Sequence, residues 1–216
     1  MPVEVKICGL SKPDMVEAAI DAGADLIGLV FYPPSPRNVH VEYAAELADM
    51  ARDKTRIVAN TVDAPNELLD AIMMSVDPDF IQAHGNETPE RVEAIRALTG
   101  KPVIKAIKVR EAADIQKASA YEQQASLILF DAKAPDTLIN ALPGGNGIAF
   151  DWTLLDATGG DRPFILSGGL TPANVARAIK ATRAPLVDVS SGVESAPGVK
   201  DAALIRKFIE AAKAPR

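Results

Sequence analysis

Short apolar runs recur along the chain at even spacing, and each is followed by a stretch in which apolar residues return every three or four positions. The runs cover 3–7, 25–31, 56–62, 79–83, 102–109, 126–130, 163–166 and 186–189. Runs of this length without alternation predict parallel strands that are covered by helices, because both faces must avoid water. Helical patterns fall between them over 14–22, 41–51, 67–75 and 89–99. The last segment is the clearest: Leu204, Ile205, Phe208, Ile209 and Ala212 share one face, and Arg206, Lys207, Glu210 and Lys213 lie elsewhere.

Helix ends carry chemical marks. Thr88-Pro89 and Thr171-Pro172 each place a capping hydroxyl before a proline suited to the first helical position. Gly23 and Gly100 stand where helices should stop. Eight strand-then-helix units in 216 residues predict an α/β fold, a single-domain (β/α)8 TIM barrel over 1–216. A doubly wound sheet is the alternative, but it needs fewer strands and lacks this regularity. The widest gap, 131–162, calls for a long loop and a short helix near 151–157. Met73 and Met74 are expected in a helix core, Trp152 against that loop, and His40 on the surface.

Composition narrows the function class. Hydrophobic residues make up 48% and charged residues 24%, an ordinary globular balance. The net charge is 23 − 29 = −6 with no basic cluster, which argues against a nucleic-acid partner. No apolar run approaches the roughly 18 residues of a membrane span, and no signal-peptide core precedes the first charges, so a cytoplasmic protein without membrane partner is expected. A single Cys allows no internal disulfide, and with two His it cannot close a structural zinc site without carboxylates. No metal is expected.

In a barrel of this kind the chemistry sits where strands end and the following loops begin, so only residues at eight places are candidates. In the first run, alternation turns Val3, Val5 and Ile7 to the helices and Glu4, Lys6 and Cys8 to the lumen. Cys8 then stands at the rim above Lys6, a setting that favours the reactive thiolate. The plainer reading is a buried Cys acting as a small hydrophobe. Asp131 directly follows Leu127-Ile128-Leu129-Phe130 and is half desolvated there, which suits a general acid; a loop-capping Asp reads equally well.

The anion signal is stronger. Ser167-Gly168-Gly169-Leu170 follows the seventh run, Ser190-Ser191-Gly192 the eighth, and Gly144-Gly145-Asn146-Gly147 the sixth. Glycines let backbone amides approach an anion closely, and loops seven and eight are the usual phosphate site of such barrels. Alternation also places Asp188 and Ser190 on one face, where they could hold sugar hydroxyls. After the second run, Pro33-Pro34-Ser35-Pro36 makes a stiff loop that holds Arg37 over the mouth, suited to a substrate carboxylate or else merely solvated. His84 ends the fourth run as a residue of the site wall.

These segments together resemble the phosphoribosylanthranilate isomerase family of tryptophan biosynthesis. The resemblance rests on Lys6-Ile7-Cys8-Gly9, Phe31-Tyr32-Pro33-Pro34-Ser35-Pro36-Arg37, Gly144-Gly145-Asn146-Gly147 with Phe150-Asp151-Trp152, Ser167-Gly168-Gly169-Leu170 and Asp188-Val189-Ser190-Ser191-Gly192-Val193-Glu194. It runs from first strand to last, in order. It implies an Amadori rearrangement of N-(5-phosphoribosyl)anthranilate to 1-(2-carboxyphenylamino)-1-deoxyribulose 5-phosphate without cofactor. It further implies Asp131 as general acid, Cys8 as general base and Arg37 facing the anthranilate carboxylate. Phosphate would lie in the loops of Gly145 and Gly147, of Gly168 and Gly169, and of Ser190, Ser191 and Gly192. Departures are small: Ala83 stands where the family often has Leu, and Asn146 where it often has Thr. The expected partner is a small phosphorylated aminosugar substrate, bound by a monomer or homodimer; the competing reading is another metal-independent phosphosugar isomerase on the same barrel. A non-catalytic phosphate sensor would have lost Cys8 or Asp131.

Overall fold

The computed structural model describes residues 2–134, 142–147, 149–158 and 163–214. Eight parallel strands close into a barrel in chain order: β1 (Glu4–Cys8), β2 (Leu26–Phe31), β3 (Arg56–Thr61), β4 (Phe80–Ala83), β5 (Val103–Val109), β6 (Leu127–Ala132), β7 (Phe164–Leu166) and β8 (Leu186–Val189). The seam is β1 against β8, with Lys6 paired to Asp188 and Ile7 to Val189. Outer helices are α1 (Pro13–Asp21), α2 (Val41–Ala51), α3 (Asn66–Ser75), α4 (Pro89–Thr99), the short α5 (Ala112–Gln116), α6 (Val175–Thr182) and α7 (Ala202–Lys213). A small antiparallel hairpin, β9 (Glu194–Ala196) with β10 (Val199–Lys200), follows β8 and was not foreseen from the sequence.

Alternation along the strands builds two cores. Leu26, Val58, Ile104, Ala106, Leu129, Ile165 and Leu186 fill the lumen, while the opposite faces of the strands meet the helices in a larger shell. The expected face of α7 is the buried one, with Ile205, Phe208, Ile209 and Ala212 inside. Burial of each large side chain there stabilises by about 1.5–3 kcal/mol.

Several strands start one residue later than the apolar runs suggest, for a reason visible in the bonding. Asp25 and Asp79 precede β2 and β4 and turn their carboxylates to the backbone amides of Val5 and Ile57, at 2.8 and 2.6 Å. They tie the floor of the barrel, while their own amides still donate to the Val5 and Ile57 carbonyls at 2.9 and 2.8 Å. At the other end β6 runs on through Asp131 and Ala132, so Asp131 lies within a strand and not after it.

The cap at Thr88 is present, with its hydroxyl accepting from Arg91, and Gly100 closes α4 in the left-handed region. Thr171-Pro172 does not start a helix. The first regular turn of α6 begins at Val175, after Asn174, whose side chain accepts from the Thr171 amide and donates to the Gly169 carbonyl. Asn174 thus ties the glycine loop to the helix start, an alternative the Thr-Pro pair conceals. The short helix near 151–157 is a 3-10 turn over Trp152–Thr158. Part of the long loop before it, 135–141, lies outside the described residues. Met73 packs against the core as expected, but Met74 projects outward with 87% of its surface exposed, since the helical period turns it off the apolar face. His40 is exposed as expected.

Candidate active site

Cys8 is the last residue of β1 and points into the mouth, almost wholly buried. Its sulfur accepts from the Asn60 side-chain amide of β3 at 3.5 Å. Gly28 of β2 stands beside it, and a Cβ there would lie 2.9 Å from the sulfur, so only glycine leaves the thiol its place. One layer below, Lys6 is fully buried and bonded to Asp188 at 2.9 Å. Burial alone would pull its ammonium down; the Asp188 carboxylate, with Cys8 adding to it, outweighs burial and holds the amine above the ordinary lysine value of 10.5. A fixed positive charge therefore lies beneath the thiol, as alternation predicts.

Asp131 faces the same mouth from β6. One carboxylate oxygen accepts the Ala132 amide at 2.9 Å; the other meets His84 Nε2 at 3.2 Å. His84 follows β4, continuing its ladder through a bond from its amide to the Thr61 carbonyl, and its Nδ1 meets the amide of Gln82 at 2.8 Å. Gly144 covers this pair: a Cβ on it would stand 2.7 Å from His84 Nε2 and 2.9 Å from the Asp131 carboxylate.

The glycine loops meet on the remaining side. A Cβ on Gly192 would overlap the Leu170 carbonyl, so the β8 loop presses backbone to backbone on the β7 loop. Gly145, Gly147, Gly168 and Gly169 all hold positive φ. Such loops leave amides unobstructed for an anion. Behind them lies a buried charge cluster: Glu194 accepts from Arg37 through Nε and Nη2, at 2.7 and 2.8 Å, and from Lys200 at 2.7 Å. Lys200 also donates to the carbonyl and hydroxyl of Ser190. Two cations against one carboxylate leave a net positive charge under the Ser190 loop. Burial would raise the Glu194 carboxyl, but Arg37 and Lys200 together hold it below its usual range; burial pulls Lys200 down despite Glu194.

Cys8, Arg37, His84, Asp131, Gly145, Gly147, Gly168, Gly169, Asp188, Ser190, Ser191 and Gly192 all line one open cleft. Two of them sit differently than expected. Arg37 is not held free over the mouth: its fork grips Glu194, and Nη2 also reaches the Gly145 carbonyl at 3.3 Å. Asp188 engages Lys6 with one oxygen and the Ser167 hydroxyl with the other, so it is a floor brace, not a free acceptor for hydroxyls. Sequence reasoning passed over Asn60, Gln82 and Lys200. Gln82 could have been found, since it lies two residues before His84 and alternation puts both on the lumen face.

A sequence model of the family described as N-(5'phosphoribosyl)anthranilate (PRA) isomerase matches residues 5–211. The chain belongs to this family. Relatives of that name include one from Paramagnetospirillum magneticum, 51% identical over 216 residues with all of both chains covered. Another, from Rhodospirillum centenum, is 53% identical over 214 residues, which is 99% of this chain and 100% of the relative. Among solved structures, phosphoribosyl anthranilate isomerase from Thermotoga maritima matches with a TM-score of 0.88 at 36% identity, over 99% of this chain and 100% of that one. A phosphoribosyl anthranilate isomerase solved with reduced 1-(o-carboxyphenylamino)-1-deoxyribulose 5-phosphate matches with a TM-score of 0.83 at 34% identity, again over 99% and 100%. Like these phosphoribosylanthranilate isomerases, the chain is an isomerase built on a closed eight-stranded barrel.

Proposed function

We propose that Cys8 and Asp131 are the base and acid of the family's reaction, the Amadori rearrangement of N-(5-phosphoribosyl)anthranilate to 1-(2-carboxyphenylamino)-1-deoxyribulose 5-phosphate in tryptophan synthesis. The observation that carries this assignment is their meeting in one cleft from β1 and β6, with three glycine loops on the same rim. Asp131 protonates the furanose ring oxygen, the C1–O bond breaks, and the anilino nitrogen becomes an iminium. Cys8 as thiolate takes the C2 proton, and the C2–H electrons move into the iminium to give an enolamine. Ketonisation completes the product. The iminium is the electron sink, so these steps call on no metal or redox group.

Phosphate is assigned to the loops at Gly145–Gly147, Gly168-Gly169 and Ser190–Gly192, with the surplus charge of Arg37 and Lys200 behind them. Arg37 keeps Nη1 for the anthranilate carboxylate while Glu194 fixes the rest of the fork. Asp188 serves through Lys6. The reading includes a cytoplasmic enzyme acting on this small aminosugar phosphate, as a monomer or homodimer.

The test follows loss of anthranilate fluorescence from freshly generated substrate, with Cys8→Ala alongside wild type. Turnover by wild type and its near absence in the variant support both the reaction and the base. Equal turnover in both removes Cys8 from that role.

A further inference from the structure

Gln82 is fully buried in the lumen, one layer below the reacting groups, and its amide nitrogen lies 2.8 Å from Nδ1 of His84. An amide nitrogen can only donate. With the amide nitrogen on this side, the contact is satisfied only when His84 Nδ1 presents its lone pair and Nε2, which faces Asp131 at 3.2 Å, carries the ring proton. This orientation of the amide sets one donor against one acceptor. It also leaves the Gln82 amide oxygen buried without a partner, one of three such side-chain atoms among the described residues. A buried orphan acceptor costs stability, and an apolar side chain of similar size would carry no such cost. Groups kept at such a cost gather at functional sites.

We infer that Gln82 is a positioning residue for the acid step: its amide fixes the Nε2–H tautomer of His84, which then donates to the carboxylate that forms on Asp131. As Asp131 gives its proton to the substrate ring oxygen, negative charge grows on the oxygen that faces His84. A donor already in place stabilises that charge with no reorganisation. In the other tautomer a lone pair would face the growing charge and oppose it. The Asp131 oxygen bonded to Ala132 is supplied by backbone and needs no such control. Gly144 closes over the pair and leaves no space for a larger side chain beside the ring.

This inference rests on the acid role of Asp131, and the two can fail separately. The chain has only two histidines, so ¹⁵N spectra of the ring nitrogens are simple, and His40→Gln assigns the exposed one. The wild-type enzyme is expected to show His84 protonated on Nε2 and bare on Nδ1. Gln82→Glu, whose ionised carboxylate can only accept, should put a proton on Nδ1 and lower kcat on the order of 10²-fold with KM little changed. Gln82→Leu guards against a variant that does not fold. Its melting temperature should stay near that of wild type, since the orphan oxygen goes while His84 Nδ1 loses its donor, yet it should turn over more slowly and show mixed tautomers. A wild-type His84 protonated on Nδ1, or a Gln82→Leu enzyme with wild-type kcat, overturns the inference. So does a loss of melting temperature in Gln82→Leu with no kinetic change, which marks a structural residue. Should Asp131→Asn turn over normally, the acid assignment falls, while the His84 spectra still report what Gln82 does.

Discussion

Cys8 and Asp131 face the same mouth, whose charged side chains are largely paired with one another. Asp188 holds Lys6 and Ser167, Glu194 holds Arg37 and Lys200, and the Cys8 sulfur receives a long bond from Asn60 with the Lys6 ammonium beneath it. The thiol is thus loosely held and can change its bonding when a substrate arrives. Cys8→Ala should lower kcat by about 10²–10⁴, the usual worth of a positioned base, with KM nearly unchanged. Steady-state kinetics with the thermal melt beside it checks this, because the lost sulfur is small and the fold should hold. Asp131→Asn keeps the shape and the acceptor for Ala132 but offers no acid proton, so a similar fall in kcat is expected. If that variant instead fails to fold, the carboxylate is a structural brace. Lys6→Met is a different case. It would strand the Asp188 carboxylate in the lumen, and leaving one partner of a buried pair alone costs about 3–5 kcal/mol. Urea titration should show that loss, whatever happens to turnover.

At the scale of elements, strands and their inward faces were legible because a parallel barrel asks for continuous apolar runs with a period of two at the lumen. α2 and α4 fell on their expected ranges for the matching reason, a clean helical period with a hydroxyl or charge at the start. What was not legible depends on bonds between loops. The hairpin of β9 and β10 is short and polar, yet it carries Glu194 and Lys200 to Arg37, some 160 residues earlier in the chain. No local pattern announces such a meeting, and that is why Arg37 read as a free cation. Asn174 displaced the start of α6 through a tie to Gly169 that composition cannot show. The loops themselves yield a prediction. Gly192→Ala would drive a methyl group into the Leu170 carbonyl and push loops seven and eight apart. Overpacking of this kind costs about 1–3 kcal/mol. Because the strain falls on the anion loops, KM and the affinity for inorganic phosphate as a competitive inhibitor should suffer more than kcat. A variant with wild-type KM would show that the loop moves freely and does not hold the phosphate.

Across the whole molecule the barrel hides more charge than its apolar runs suggest, and that charge sets its response to acid. Lys105 lies on the outward face of β5, almost fully buried, and reaches Glu87 at 2.7 Å, the Gly85 carbonyl at 2.9 Å and the ring of Tyr121 at 5.7 Å. In the sequence it is one of two lysines in an apolar run, and its partner arrives from a loop 18 residues away. Burial would raise the Glu87 carboxyl, but Lys105 and the amides of Asp63 and of its own backbone outweigh burial and hold it below the ordinary glutamate value of 4.5. Glu194 moves the same way between Arg37 and Lys200. Asp114 does too, since Lys117 and two backbone amides outweigh its burial. A carboxyl whose folded value is depressed releases its proton more readily folded than unfolded. Its contribution is full above the unfolded value and is lost as pH falls through the folded one. The enzyme should therefore hold a nearly constant melting temperature near neutral pH and lose stability steeply once pH drops below about 4.5, as these groups take up protons. Glu87→Gln separates this cause from general charge repulsion. At neutral pH it leaves Lys105 buried without its anion, at about 3–5 kcal/mol. In strong acid the wild-type Glu87 is neutral as well, so the gap between the two proteins should narrow as pH falls. Urea titrations at pH 7 and at successive steps into acid read that gap directly. A gap that stays constant over the whole range would assign the acid sensitivity to Glu194 and Asp114 instead, and leave Lys105–Glu87 as a brace that acid does not reach.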